Sequence, residues 1–172
     1  MRNDFSFSVS LFLVLYFSFL ISHFSFKKMA LKEFRLGIKA KIFHGAAGST
    51  GVPTNELSNV TDVTVTLDAS EADVTTRAND GFRATVAGLK ECTIEFDMLY
   101  LPNDPGFKAI RTAWLSAGQI HLAALTGEKG EGPVGDFSIT GFSRAEPMEE
   151  AIKYSVTAKL SQWEQWHEET TT

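Results

Sequence analysis

Apolar and polar residues alternate with a period of two along most of this chain, the pattern of half-buried strands. Phe34, Leu36, Ile38, Ala40 and Ile42 fall on one face, with Arg35, Lys39 and Lys41 opposite. A Gly-rich loop, HGAAGSTGVPTNELS, covers residues 44–58. The run NVTDVTVTLDA then sets Val63, Val65 and Leu67 against Thr64 and Thr66. SEAD reads as an acidic bend leading into VTTR, and Asn79-Asp80-Gly81 as a turn. Phe82, Ala84 and Val86 alternate next, and then Cys92, Ile94, Phe96, Met98 and Tyr100 against Thr93, Glu95 and Asp97. Ile120, Leu122 and Ala124 follow, then Phe137 and Ile139, and last Ile152, Tyr154, Val156, Ala158 and Leu160. These runs predict seven or eight strands.

One segment follows a helical period instead. Asp104 suits an N-cap, Pro105 a first helical position and Gly118 an end. Between them Phe107, Ile110 and Trp114 recur at helical spacing, with Ala113 and Ala117 alongside. The expected body is mainly β with one flanking helix. Strands, helix, strands is the order of a sandwich or barrel rather than of a doubly wound parallel sheet.

Composition divides the 172 residues into two parts. Of the 14 Phe, seven lie in the first 28 residues, which carry three basic residues (Arg2, Lys27, Lys28) and one acid (Asp4), a net +2. The chain's net charge is -5, so residues 29–172 carry -7, from 13 basic and 20 acidic residues. That body is long enough to bury roughly two-thirds of its unfolded surface as one domain. Phe5 to Phe26 holds no charge and has the length of a membrane span, yet six serines dilute it. As a signal peptide it lacks a strongly basic start and a small-x-small cleavage site. A third reading takes residues 1–28 as a mis-assigned start or a removed segment. Met29 opens MALKEFRLGI directly before the first patterned strand, and this is the reading adopted, with 29–172 as the single domain. A genuine prefix would instead make the protein membrane-anchored or secreted.

Candidate chemistry is sparse. His23, His44, His121 and His167 are isolated, and none makes a metal-binding pair at i, i+2 or i, i+4. The single Cys92 excludes an intrachain disulfide and sits on an apolar strand face, where a buried inert thiol is expected. Gly130-Glu-Gly132-Pro-Val-Gly135 matches G-x-G-x-x-G, but a strand follows instead of a helix, so it is read as a flexible hairpin loop. Asp68, Glu71 and Asp73 lack the EF-hand pattern and read as a solvated turn. Asn59-Val-Thr61 is a glycosylation sequon, meaningful only on a secreted chain. The acidic balance opposes nucleic-acid binding, which depends on neutralising phosphates. No cofactor, metal or catalytic set is expected.

The order of segments adds a resemblance. An opening strand, the Gly-rich loop of 44–58, DVTVTLDASEADVTTR, GLKECTIEFDM, DPGFKAIRTAWLSAGQIHLAAL and GDFSITGFSRAEPMEEAIKYSVTAKLS follow one another from about Phe34 to Leu160. In this order the body resembles the major tail tube proteins of long-tailed bacteriophages and the related tubes of contractile injection systems. The resemblance implies a β-sandwich or barrel with one flanking helix, self-assembling into hexameric rings that stack into a tube. Inner sheets of neighbouring subunits would join into a continuous barrel. DNA would pass through its lumen as non-specific cargo, and other tail proteins would be the remaining partners. The expected location is the virion tail, with assembly in the bacterial cytoplasm and no membrane contact if Met29 is the true start. The loop carrying His44, Gly45, Gly48, Gly51 and Pro53 would be an arm reaching a neighbouring subunit or ring; a mobile surface loop is the alternative.

The carboxyl end, SQWEQWHEETTT, reads as a final helical turn, a docking element or a frayed tail. A competing function from another class is a secreted or membrane-anchored β-sandwich binding module for carbohydrate, which would require exposed aromatics clustered on one sheet face. An enzyme ranks third, because no acid, base and nucleophile set can be named.

Overall fold

Strand β1 (Lys41–Ala46) is the first strand among the described residues, and the elements after it are β2 (Asn55–Glu56), β3 (Val60–Asp73), β4 (Thr85–Leu99), α1 (Pro105–Leu115), β5 (Gln119–Leu125), β6 (Gly132–Ala145) and β7 (Lys153–His167). They come from a computed structural model that describes residues 34–169; the reading of residues 1–28 lies outside the described residues. The seven strands form one continuous sheet in the order β2-β1-β5-β6-β7-β4-β3. Every neighbouring pair is antiparallel. Seven strands and one helix agree with the mainly β body expected from the sequence.

Helix α1 starts as its sequence dictates. The Asp104 carboxylate accepts the Phe107 N–H at 2.6 Å, and Pro105 fills the first turn, where its missing N–H costs nothing. At the far end Ala117, not Gly118, takes the left-handed conformation (φ 50°), while Gly118 N–H returns to the Ala113 carbonyl at 2.9 Å. The helix buries Phe107, Ile110 and Ala113 against Ile42, Ile94, Phe96, Met98, Ile120, Leu122, Phe137 and Val156 of the sheet. The Phe107 ring lies 4.8 Å from Tyr154 and 5.3 Å from Tyr100, both edge-on, which fixes the helix's rotation on the sheet.

Strand β5 is buried on both faces. Ile120, Leu122 and Ala124 point to the helix side. Ala123 and Leu125 point the other way, joining Phe43 and Val134 in a smaller cluster that Val52 partly covers.

Four local expectations change. Residues 34–40 do not form a strand: Gly37–Lys39 is a 3-10 turn, and Leu36 and Ile38 are exposed. Strand β5, the partner of β1, ends at the Lys41↔Leu125 pair, so earlier residues have no ladder to join. SEAD is not a bend. Strand β3 continues through it to the Asp73↔Thr85 pair, with an irregularity at Ser70 opposite Gly88. A Cβ on Gly88 would come 2.5 Å from Ser70 Oγ, so the glycine makes room for the irregularity.

Gly132 and Gly135 lie within β6 rather than in a flexible loop. A Cβ on Gly132 would sit 1.9 Å from the Ala124 carbonyl oxygen, so these glycines serve close strand approach. The carboxyl end is neither helical nor frayed as far as His167: β7 continues because β6 reaches Gly132 to pair with it, setting Trp163 opposite Gly135 and Trp166 opposite Pro133. The Asn79-Asp80-Gly81 turn is where it was expected, with Asp80 and Gly81 both left-handed (φ 47° and 82°). No helix among the described residues is long and apolar enough to cross a membrane.

Candidate inter-subunit loop

Residues 47–54 connect β1 to β2 and form the tip of a hairpin closed by the pairs Phe43↔Glu56 and His44↔Asn55. The tip needs two left-handed residues, and both are glycines, Gly48 (φ 74°) and Gly51 (φ 76°). Ser49 tightens the first bend, its N–H and Oγ both donating to the Ala46 carbonyl. Pro53 folds back over Gly45, where a Cβ would stand 3.3 Å from the proline Cβ.

Three strands hold this tip down. The Gly48 N–H donates to Asp136 Oδ2 of β6 at 2.9 Å, and the Gly51 N–H donates to Glu164 Oε1 of β7 at 2.6 Å. Between the two carboxylates stands His121 of β5, directly opposite Asp136 in the ladder. Its Nδ1 is 2.7 Å from Asp136 Oδ1, and its Nε2 is 2.9 Å from the Gly51 carbonyl oxygen and 3.3 Å from Glu164 Oε2. His121 and Asp136 are buried. Buried polar groups persist where they are hydrogen-bonded, and both of these are.

The structure therefore brings Gly45, Gly48, Gly51 and Pro53 together, as the sequence grouping had them. It separates His44, which points to the opposite face beneath the start of α1, its Nε2 3.5 Å from where a Cβ of Gly106 would be. Burial pushes the His44 imidazole below its ordinary value of 6.5, with Asp104 pulling weakly the other way.

Sequence reasoning missed His121, Asp136 and Glu164. Two of them carried one signal, chemical misfit, Asp136 as an acid alone in the run GPVGDFSIT and His121 as an imidazole within IHLAAL; Glu164, in the polar run QWEQWHEE, carried none. The remaining candidates make no site. Asp68, Glu71 and Asp73 spread along extended β3, where the Asp73 carboxylate is held below its usual range by hydrogen bonds from Thr75 and by Arg83. Cys92 is buried, which pushes its thiol up. The Asn59 amide donates to the Leu99 carbonyl at 2.8 Å. Among the described residues no group of three or more His, Cys, Asp or Glu is arranged for a metal ion.

A second surface has a distinct chemistry. Strands β4, β7 and the second half of β6 turn apolar residues to the core, β3 lays Val63 on that same face with Val65 and Leu67 exposed beyond it, and the alternate residues form an outer face rich in Ser, Thr and acids. Asp68, Glu91, Glu95 and Asp97 lie there, with Lys153 and Lys159 the cations among the paired positions and Leu99 an apolar member. Among the described residues both borders of this patch lack a ladder partner: the outer edge of β3, and β6 from Ile139 to Ala145, beyond the Gln119↔Ser138 pair with β5.

Comparison with known proteins gives the fold a family. Three solved structures share it: the tail of an empty GTA particle determined with C6 symmetry (16% identity, TM-score 0.64, covering 80% of this chain and 100% of that one), the virion of a native gene transfer agent particle (13%, 0.63, 80% and 100%) and the SPP1 tail tube (17%, 0.60, 81% and 82%). No curated protein matches the chain in sequence. The family model described as phage tail tube protein matches residues 41–161, which is β1 through most of β7. By that match the chain belongs to the phage tail tube protein family, structural subunits of the virion tail.

Proposed function

We propose that this tube subunit assembles with copies of itself into six-membered rings that stack, enclosing a lumen through which DNA passes. The observation that carries this reading is the four-stranded patch with two unpaired borders. An exposed edge strand is ordinarily blunted or covered because it invites pairing. Here the β3 edge and the Ile139–Ala145 edge of β6 border one continuous antiparallel patch, so the edge of one copy can be completed by the opposite edge of the next. Repeated around a ring, such pairing closes into a barrel and leaves no edge.

The outer face of that patch then lines the lumen. Its four acids outnumber its two lysines, Lys153 and Lys159, and repel phosphate, while its Ser and Thr side chains offer no aromatic platform on which bases could stack. Neither feature depends on DNA sequence, as a conduit requires. The C6 symmetry of the GTA tail supports the ring size. The exposed rim of the 47–54 loop meets a neighbouring subunit or ring in this arrangement, and other tail proteins meet the tube at its ends.

The test is to purify the full chain and examine it by negative-stain microscopy and sedimentation across salt concentrations. Six-fold rings or stacked tubes are expected. Monodisperse monomers at high concentration in every salt condition would overturn the reading.

A further inference from the structure

Three oxygens face the His121 ring: Asp136 Oδ1 at 2.7 Å and the Gly51 carbonyl at 2.9 Å, both hydrogen-bonded to it, and Glu164 Oε2 at 3.3 Å. The other oxygen of each carboxylate already accepts a loop N–H, from Gly48 and from Gly51. Both ring nitrogens are thus engaged, Nδ1 by the β6 carboxylate and Nε2 by the loop carbonyl, so the ring ties the loop to the sheet through its geometry. Glu164 Oε2 is buried and makes no hydrogen bond, and its near neighbour is the ring's Nε2. The neighbouring cluster of Phe43, Ala123, Leu125 and Val134 is wholly apolar, so the polar trio of His121, Asp136 and Glu164 serves something other than the packing of that cluster. The network's products are elsewhere. It fixes both amides of the glycines that shape the loop, and leaves Ala47, Gly48, Ser49 and Thr50 exposed as a rim.

We propose that His121 is a positioning residue for assembly: with Asp136 and Glu164 it clamps residues 47–54 in the one conformation on which a second copy of this chain docks. The proposal rests on the tube reading and adds to it a buried device acting from behind the contact surface. A loop with two glycines in left-handed conformation samples many states when free, and ordering it at the moment of association costs binding free energy. Clamping it beforehand removes that cost from the docking step. The loop is thus a rigid tooth rather than a reaching arm.

The test compares the full wild-type chain with His121→Gln and with Glu164→Gln, the milder change, which keeps an acceptor for the Gly51 N–H. Circular dichroism checks the fold, hydrogen exchange reads the Gly48 and Gly51 amides, and sedimentation reads the concentration needed for tubes. In His121→Gln the two amides should exchange at least tenfold faster with strand amides unchanged, and tubes should need about tenfold more protein. Glu164→Gln should show the same pair of changes, smaller in size, which keeps the proposal testable if His121→Gln fails to fold. Unchanged amide protection in the folded variants, or freed amides with tubes forming at the wild-type concentration, would overturn the clamp while leaving the tube reading intact. A wild type that never assembles, with both amides protected, would overturn the tube reading and with it the docking role, leaving only the clamp's local geometry.

Discussion

Gly51 and Glu164, 113 residues apart in the chain, are joined by a hydrogen bond of 2.6 Å from the glycine N–H to the carboxylate. The contact fastens the most irregular segment of the protein to its longest strand pair. It also sets Gly51 at φ 76°, and a Cβ there would meet nothing within 4 Å. Gly51→Ala should therefore lower stability by about 1 kcal/mol, through backbone strain alone. Gly51→Asn should cost less, because Asn tolerates the left-handed region better. Urea denaturation of the three proteins checks the order.

His44 gives the fold a pH dependence of definite sign. Burial favours the neutral ring in the native state, so below 6.5 the unfolded chain takes up a proton that the folded chain resists. Stability should be complete above that value, decline as the pH falls from 6.5 through the lowered native value, and level off below it. The His44 contribution is the difference in urea midpoint between wild type and His44→Leu, measured from pH 7.5 to 5. That difference should shift against the wild type as the pH falls; a constant difference would rule this cause out.

Phe107 is the pivot of the helix, touching both the sheet core and the Tyr100 and Tyr154 rings. Phe107→Ala should cost about 3–5 kcal/mol in chemical denaturation. Trp114→Ala, at a residue 44% exposed on the same helix, should cost clearly less.

Glu91 and Glu95 are exposed on the outer face. Glu91→Lys with Glu95→Lys should change stability by only about 0.5 kcal/mol each. The pair should nevertheless make assembled tubes retain DNA at low salt, with retention lost as salt rises. Filter binding of assembled tubes at two ionic strengths reads both effects.

Much of this architecture is legible in the alternation of side chains, because burial on one face leaves a period of two. Cys92, Ile94, Phe96 and Met98 are all buried, as their spacing requires. Asp104 and Pro105 start the helix for reasons internal to their own chemistry. Pattern fails where a neighbour decides. Leu36 and Ile38 alternate correctly yet stand exposed, since the partner strand has already ended. SEAD and the Trp163–Trp166 segment carry weak strand signals but are held extended by long partners. The anchoring network was invisible for a related reason. His121, Asp136 and Glu164 lie on three strands, and only the register of the sheet makes them neighbours.

That register has a consequence for quality control. Side chains on a strand change face with each residue, so a slip of one position in β5 would replace His121 with Ile120 or Leu122 at the junction. A slip in β6 would likewise withdraw Asp136. The loop can seat only when three separate strands have paired correctly, so its seated state certifies that the sheet behind it is finished. If the rim docks a second copy as proposed, a subunit with a misaligned strand would present an unseated rim, so the same three strands that build the sheet would also vet it for assembly.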